Sequence, residues 1–103
     1  MTTLTVDLGS LITSSLHIRG GKQRIAGTGV TVQRVVRWYR LGLNPDEIAD
    51  RIGHLSLAQV HAALAYYHAN RQQVDGDMEQ EDREADELEE AYLADMGRRS
   101  LAA

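Results

Sequence analysis

The decisive stretch is residues 31–70, TVQRVVRWYRLGLNPDEIADRIGHLSLAQVHAALAYYHAN, where apolar residues recur at helical spacing between helix-start and helix-stop signals. Thr31 can cap the first run through its hydroxyl and Gly42 ends it, so a helix is predicted over 32–41. The positions at i, i+3, i+4 and i+7 are expected to face the core, and they hold Val32, Val35, Val36 and Tyr39.

Two further helices follow within the same stretch. Each begins with a capping box, formed by Asn44 with Glu47 and by Ser56 with Gln59. The second helix has Pro45 at its first position and ends at Gly53, and the third is expected to run to about Gln73. Their core-facing residues are Ile48, Ile52, Val60, Leu64 and Tyr67. The connections are short, so the helices pack as neighbours, and the second and third helices are typical of a helix-turn-helix.

The segment before these helices has the pattern of short strands. Polar and apolar residues alternate over 4–8, 16–18 and 24–26, and the pair Gly20-Gly21 interrupts the pattern. We predict a β-hairpin of 16–18 with 24–26, turned by the two glycines, and a separate short strand over 4–8. Such strands leave open edges, which favours a homodimer formed through the hairpin or through the aromatic residues Trp38 and Tyr66.

Length and composition narrow the class of protein. A chain of 103 residues allows one small domain, and the absence of cysteine excludes disulfides, thiolate zinc sites and a cysteine nucleophile. The first ten residues lack the pattern of a signal peptide, and no apolar run approaches the ~18 residues of a membrane span. We therefore expect a cytoplasmic protein that does not enter a membrane.

The net charge changes sign between the larger part of the chain and the segment that follows it toward the C-terminal end. Residues 1–74 carry eight basic and four acidic side chains, a net +4, whereas 75–90 carry ten acidic side chains and one arginine, a net −9. We predict a body over 1–76 and an acidic amphipathic helix over 77–103. The apolar stripe of that helix is Ala85, Leu88, Tyr92 and Met96. A partner chain would stabilise so charged a helix, and the alternative is a solvated helix that keeps the protein soluble.

A helix-turn-helix raises the question of DNA binding. The outward positions of the third helix are Ala58, His61, Ala62, Ala65 and His68. Only Gln59 and the histidines on this helix offer polar groups to base edges, whereas the first helix presents Arg34, Arg37 and Arg40 toward one side, as in phosphate contacts. The predicted DNA-binding residues are Arg34, Arg37, Arg40, Gln59 and His61. A solvated basic face, or a docking surface for the acidic tail, remains an open alternative.

The sequence offers no pattern typical of an enzyme. His61 and His68 lie seven residues apart, about 10 Å along a helix, whereas a chelating pair needs i, i+4 spacing. The acidic residues of 75–90 follow one another along a single segment and do not converge as a two-metal site requires. No serine belongs to a recognisable catalytic triad. We expect no enzymatic activity, no metal and no cofactor.

Between His17 and Val74 the sequence carries a set of short motifs in a fixed order. They are Gly20-Gly21-Lys22, Ile25-Ala26-Gly27-Thr28, Val30-Thr31-Val32, Gly42-Leu43-Asn44-Pro45-Asp46-Glu47-Ile48, Leu55-Ser56-Leu57-Ala58-Gln59-Val60 and Ala62-Ala63-Leu64-Ala65-Tyr66-Tyr67. In combination they resemble the bacterial "domain of unknown function 433" family. Members are commonly small homeodomain-like tri-helical proteins, and many are encoded beside nuclease-like toxins with a PIN-related fold. The expected fold is therefore mainly α, with an N-terminal β-hairpin, a tri-helical helix-turn-helix body and a C-terminal acidic helix.

The resemblance also implies a function. It indicates an antitoxin that neutralises a PIN-like ribonuclease toxin and binds the promoter DNA of its own operon. The acidic helix is then expected to bind the toxin through Leu88, Tyr92, Met96 and Glu84. The alternative is a stand-alone DNA-binding transcriptional regulator. A segment of net −9 repels phosphate, which favours the antitoxin over the regulator.

The chain departs from the family's pattern at three places. Gln23 stands where members usually have proline, and Gly53-His54 replaces a Tyr-Pro pair. Gly29 stands where an arginine usually follows Gly-Thr, so a cation beside the hairpin is lost. Gly27 and Gly29 also predict a positive φ or a close approach of the backbone.

Overall fold

A computed structural model describes residues 5–101. Within that range the chain forms one short antiparallel pair of strands followed by four α-helices. The elements are β1 (Ile12–Thr13), β2 (Arg24–Ile25), α1 (Val32–Arg40), α2 (Pro45–Ile52), α3 (Leu57–Ala69) and α4 (Arg71–Leu101). The prediction of a mainly α protein with an N-terminal hairpin is confirmed.

The hairpin has a different first strand from the predicted one. Ile12 pairs with Ile25 and Thr13 with Arg24, whereas 16–18 form only a tight turn closed by a bridge between Ser15 and Ile18. This pairing leaves Ile25 fully buried, and Leu16, in the strand that was predicted, is 86% exposed. The predicted pairing of 16–18 with 24–26 is therefore wrong, because burial of apolar surface selects the earlier strand.

The predicted strand over 4–8 is also wrong in its described part. Residues Leu8–Leu11 form a 3₁₀ turn, and the Asp7 carboxylate accepts a hydrogen bond from the Gly9 N–H at 3.0 Å. Leu4 lies outside the described residues. The local side-chain cap competes with a strand ladder, which accounts for the difference. The prediction of a homodimer therefore no longer rests on this strand, whereas the open edge of the hairpin still supports it.

The helix starts follow the predicted capping. The Thr31 hydroxyl accepts a hydrogen bond from the Arg34 N–H at 3.2 Å, which fixes the first turn of α1. Both predicted capping boxes, Asn44 with Glu47 and Ser56 with Gln59, are present. Gly53 ends α2 with φ 81°, in the left-handed region that favours glycine.

The core lies where α1, α2 and the strands pack against α3. Its buried apolar residues in this part of the chain are Ile25, Val30, Val32, Val35, Val36, Ile48, Ile52, Leu55, Val60, Ala63, Leu64 and Tyr67. Tyr39 was expected among them, but it is 37% exposed, at the last turn of α1. Its ring meets the edge of the His68 ring at a centroid distance of 5.8 Å, so it covers the rim of the core.

The third helix is shorter than predicted and the fourth is longer. Asn70 ends α3, and its side-chain amide donates a hydrogen bond to the Tyr66 carbonyl at 3.0 Å. The next helix begins at Arg71 and continues through Gly76, whereas the acidic helix was predicted to begin at 77. A single helical glycine costs only ~1 kcal/mol, which a 31-residue helix can absorb. The predicted division at 76/77 into two functional parts stays a prediction.

The chain divides into two compact units, one ending at Arg71 and one beginning at Gln72. In residues 5–101, no helix is long and apolar enough to span a bilayer. Within the same range, no three His, Asp or Glu side chains are arranged to hold a metal ion.

Candidate functional site

The predicted DNA-binding arginines of α1 are all exposed. Arg34, Arg37 and Arg40 each lie about 60° around the helix from the next, because three residues turn an α-helix by about 300°. Arg40 is therefore about 120° from Arg34, and the three side chains spread over one broad side. Arg37 and Arg40 lie in the last turn, where cations also interact favourably with the helix dipole.

A cavity adjoins this arginine face at the start of α1. Its volume is about 350 Å³, and its lining residues are Arg19, Lys22, Gly29, Thr31 and Arg34. We call these five residues the cationic pocket. Sequence analysis placed only Arg34 in a functional surface. Arg19 and Lys22 were missed because the left-handed turn that brings them to α1 cannot be read from helical periodicity.

The outward face of α3 is poorly equipped to read bases. The Gln59 side-chain oxygen accepts the Ser56 N–H at 2.7 Å, so the capping box holds this side chain at the helix start. His61 is exposed, but it lines an apolar groove of about 710 Å³. The groove is lined by Leu8, Gly9, Ile12, Ala58, His61, Ala62, Ala65, Tyr66, Ala69 and Asn70. An alanine-rich surface offers few hydrogen-bond donors or acceptors to a base edge.

The predicted toxin-binding residues lie on the second compact unit. Leu88 is 72% exposed, Tyr92 64% and Met96 48%, and together they form one stripe along α4. Glu84 precedes Leu88 by one turn, and its carboxylate accepts a hydrogen bond from the Gln80 amide at 3.0 Å. Leu93, 57% exposed, widens the stripe on one side. It was missed because it lies about 100° from Tyr92 and breaks the helical spacing.

The charge of α4 is unfavourable for an isolated helix. Ten of its acidic side chains fall within residues 75–90, and several are four residues apart, such as Asp86 with Glu90. Each like-charge pair at that spacing destabilises a helix by a few tenths of a kcal/mol. The exposed ion pair of Arg99 with Asp95, 3.1 Å between Nε and Oδ2, compensates only the C-terminal end. A cationic partner surface would therefore stabilise this helix.

Comparison with known proteins places the chain in a family. The model of the family described as "Protein of unknown function (DUF433)" matches residues 12–67, more than half of the chain. No curated protein showed significant sequence similarity. A similar solved structure is the crystal structure of a DUF433 member protein from Anabaena variabilis ATCC 29413. It is 27% identical, with a TM-score of 0.61, over 68% of this chain and 69% of that chain. The chain therefore belongs to the DUF433 family.

Proposed function

We propose that this protein is an antitoxin whose helix α4 binds and neutralises a PIN-like ribonuclease toxin. The observation that carries the proposal is the exposure of Leu88, Tyr92 and Met96 along a strongly acidic helix. Amphipathic helices with exposed anchors at i, i+4 spacing commonly bind in a groove of a partner protein. Aromatic side chains such as Tyr92 are enriched among the residues that carry most of the affinity at protein interfaces.

The charge of α4 supports a nuclease as the partner. A ribonuclease must attract the phosphates of RNA, so its substrate channel carries positive potential. A segment of net −9 is complementary to such a channel. Docking of α4 would place carboxylates where phosphates bind and would exclude RNA. Inhibition by occupation of the channel requires no catalytic residue from the antitoxin.

The body of the molecule supports a second role in the same system, the binding of promoter DNA for autoregulation. Residues 1–74 have a net charge of +4, and Arg34, Arg37 and Arg40 are exposed on α1. Contacts of this kind go to phosphates and add little sequence selectivity. On α3, His61 is exposed and stays a base-reading candidate, whereas the capping box holds the Gln59 side chain.

The proposal predicts that a gene beside this chain's gene encodes a small PIN-like nuclease, and it is tested with that protein. Co-expression of the full chain is expected to restore the growth of cells that express the nuclease. The purified chain is expected to block RNA cleavage by the purified nuclease. Glu84→Lys reverses a charge next to Leu88 and should weaken inhibition, whereas Asp50→Lys, an exposed position on α2, is the control. Failure of the full chain to bind or inhibit this nuclease would refute the proposal.

A stand-alone transcriptional regulator is the second candidate. The grouping of Arg34 with Arg19 and Lys22 around one cavity favours it, because a phosphate-binding surface needs no toxin. This candidate predicts that substitutions on α4 leave the biological activity unchanged. Loss of nuclease inhibition in Glu84→Lys, together with unchanged DNA affinity, would favour the antitoxin over the regulator.

A further inference from the structure

We propose that Arg19, Lys22 and Arg34 hold one backbone phosphate of duplex DNA in the cationic pocket, and that Gly29 provides the space for Arg19. The inference rests on the DNA-binding part of the proposed function. It adds a defined site and three residues, Arg19, Lys22 and Gly29, that the arginine pattern of α1 does not contain. The binding of toxin by α4 is independent of it.

The lining of the pocket is the first observation. Three of its five lining residues are basic, the other two are glycine and threonine, and none is acidic. Arginine and lysine are the side chains that bind phosphate most often, and arginine can offer two parallel N–H groups to its oxygens. The volume of about 350 Å³ is within the range of small-ligand pockets. The chemistry of the site is therefore that of an anion site.

The backbone of Arg19 is the second observation. Its φ is 52°, and it is the non-glycine residue with positive φ in residues 5–101. Gly20 and Gly21 follow with φ of 65° and 82°, so the chain makes a left-handed turn here. Non-glycine residues in this conformation are uncommon and occur frequently at ligand sites. The turn places the Arg19 side chain against Gly29, beside the start of α1.

The absence of a side chain at position 29 is the third observation. The Arg19 Nε donates a hydrogen bond to the Gly29 carbonyl at 3.0 Å. A Cβ at position 29 would lie 3.3 Å from Nη2 of Arg19, closer than an ordinary contact, and 3.6 Å from Nε, an ordinary contact distance. Gly29 has no positive φ, so its backbone does not require glycine. Glycine therefore leaves room for the guanidinium where it lies, and a Cβ would require Nη2 to move by a few tenths of an ångström.

The start of α1 reinforces the site. The Thr31 hydroxyl accepts the Arg34 N–H, which places Arg34 in the first turn of the helix. That end of a helix carries the positive end of the dipole, and it adds to the potential of the three cations. One N–H of Arg19 is bonded to Gly29, and a guanidinium has four others to offer.

A nucleic-acid backbone fits this pocket better than a free anion. Arg37 and Arg40 continue the basic surface along α1, so a polyanion can contact the pocket and the helix face together. Duplex DNA is favoured over single-stranded RNA because no aromatic side chain lines the pocket. Recognition of single strands generally uses aromatic rings on which bases stack.

The test uses the full chain and a labelled DNA duplex from the region upstream of its gene. Affinity is measured by fluorescence anisotropy over a series of salt concentrations. The double variant Arg19→Gln with Arg34→Gln is compared with the single variant Arg51→Gln, which keeps all three cations of the pocket. Arg51 lies on α2 over the Trp38 ring and outside the pocket. Loss of one phosphate contact should reduce the slope of log affinity against log salt by about 0.9.

A variant that changes no charge distinguishes a specific contact in the pocket from the general electrostatic attraction between DNA and the basic surface. Gly29→Ala should shift the Arg19 guanidinium by a few tenths of an ångström and weaken DNA binding, at most by about tenfold, the value of one charge-assisted hydrogen bond. Gly76→Ala is the control, since its Cβ would meet no atom within 4 Å. Circular dichroism and thermal melting show whether each variant is folded. A purely structural role of Arg19 would change the melting temperature and leave the salt slope unchanged.

The outcomes distinguish the site from the wider function. Reduced slope in the pocket double variant and reduced affinity in Gly29→Ala, with both controls at wild-type values, support the pocket. Equal slopes of log affinity against log salt for the double variant and Arg51→Gln would refute the pocket as a phosphate site, but they would not refute DNA binding. A wild-type chain that binds no duplex DNA at low salt overturns both, and toxin binding is unaffected. Binding of single-stranded RNA in place of duplex DNA overturns the choice of ligand.

Discussion

Replacing Leu88, Tyr92 and Met96 together by alanine removes the apolar stripe of α4 and leaves its charge unchanged. These side chains are 72%, 64% and 48% exposed. Complete burial of a side chain of this size contributes about 1.5–3 kcal/mol, so covering the exposed fractions contributes about 1–2 kcal/mol each. The triple variant is expected to lose about 3–5 kcal/mol of nuclease binding, a factor of about 10² to 10⁴ in Kd.

Unfolding of α4 would not account for such a loss. Alanine has the highest helix propensity, so the substitutions maintain or increase the intrinsic stability of the helix. Leu41→Ala is a matched control, because Leu41 is also 72% exposed but lies in the other compact unit, after α1. It should bind the nuclease as the wild type does.

The assay is isothermal titration calorimetry of the full chain with the proposed PIN-like nuclease partner. Circular dichroism of each variant verifies the helical content. A triple variant that binds within about threefold of wild type would refute the assignment of the stripe as the interface. Equal losses in the triple variant and Leu41→Ala would refute it as well.

Further outcomes follow from the caps, the glycines and the charge. Asn44→Ala removes one capping box and should lower the free energy of unfolding by about 1 kcal/mol in thermal melts; an unchanged melting temperature would contradict it. Gly53→Ala, at φ 81°, should destabilise by about 1 kcal/mol, whereas Gly76→Ala within α4 should stabilise by a similar amount, and the reverse order of melting temperatures would be inconsistent with these conformations. Light scattering of the full chain should give the mass of a dimer, and a monomer at high micromolar concentration would contradict the homodimer. Covering α4 with the nuclease should tighten DNA binding, because the −9 segment then repels phosphate less, and equal affinities of free chain and complex would argue against this coupling.

The helical part of the fold could be predicted from local chemistry. Capping boxes and the glycine at position 53 act within four residues, so the starts of α2 and α3 and the end of α2 follow from the sequence. The valines of α1 and isoleucines of α2 are buried as their spacing predicts. Local hydrogen bonds and periodicity determine these features, and no distant contact competes with them.

The hairpin could not be placed in the same way. Ile12 and Leu16 are equally apolar, and only the packing of β2 against the body selects Ile12 as the partner of Ile25. The end of α3 is at Asn70, whose side-chain amide donates a hydrogen bond to the Tyr66 carbonyl; asparagine is a recognised but weaker stop signal than glycine, and the prediction placed the end about three residues later. The acidic helix was predicted to begin at 77, after Gly76, but α4 begins at Arg71, because a long helix tolerates a glycine.

The candidate functional residues also differ in whether the local sequence predicts them. The stripe of Leu88, Tyr92 and Met96 lies within one helix, so its spacing alone reveals it. The cationic pocket joins Arg19, in a left-handed turn, to Arg34, fifteen residues later on α1. Such a cluster depends on the tertiary fold. The close approach predicted at Gly29 is the one sequence signal that pointed toward it, and the Arg19 guanidinium supplies that approach.

Hydrogen exchange of the full chain, alone and in complex with the nuclease, tests most directly whether α4 is the toxin-binding element. The backbone amides of residues 84–96 should exchange quickly in the free chain, because exposed helices with few apolar contacts open readily. The account predicts strong protection of 84–96 in the complex, centred on Tyr92. Protection confined to residues 12–67, with exchange in 84–96 unchanged, would contradict it.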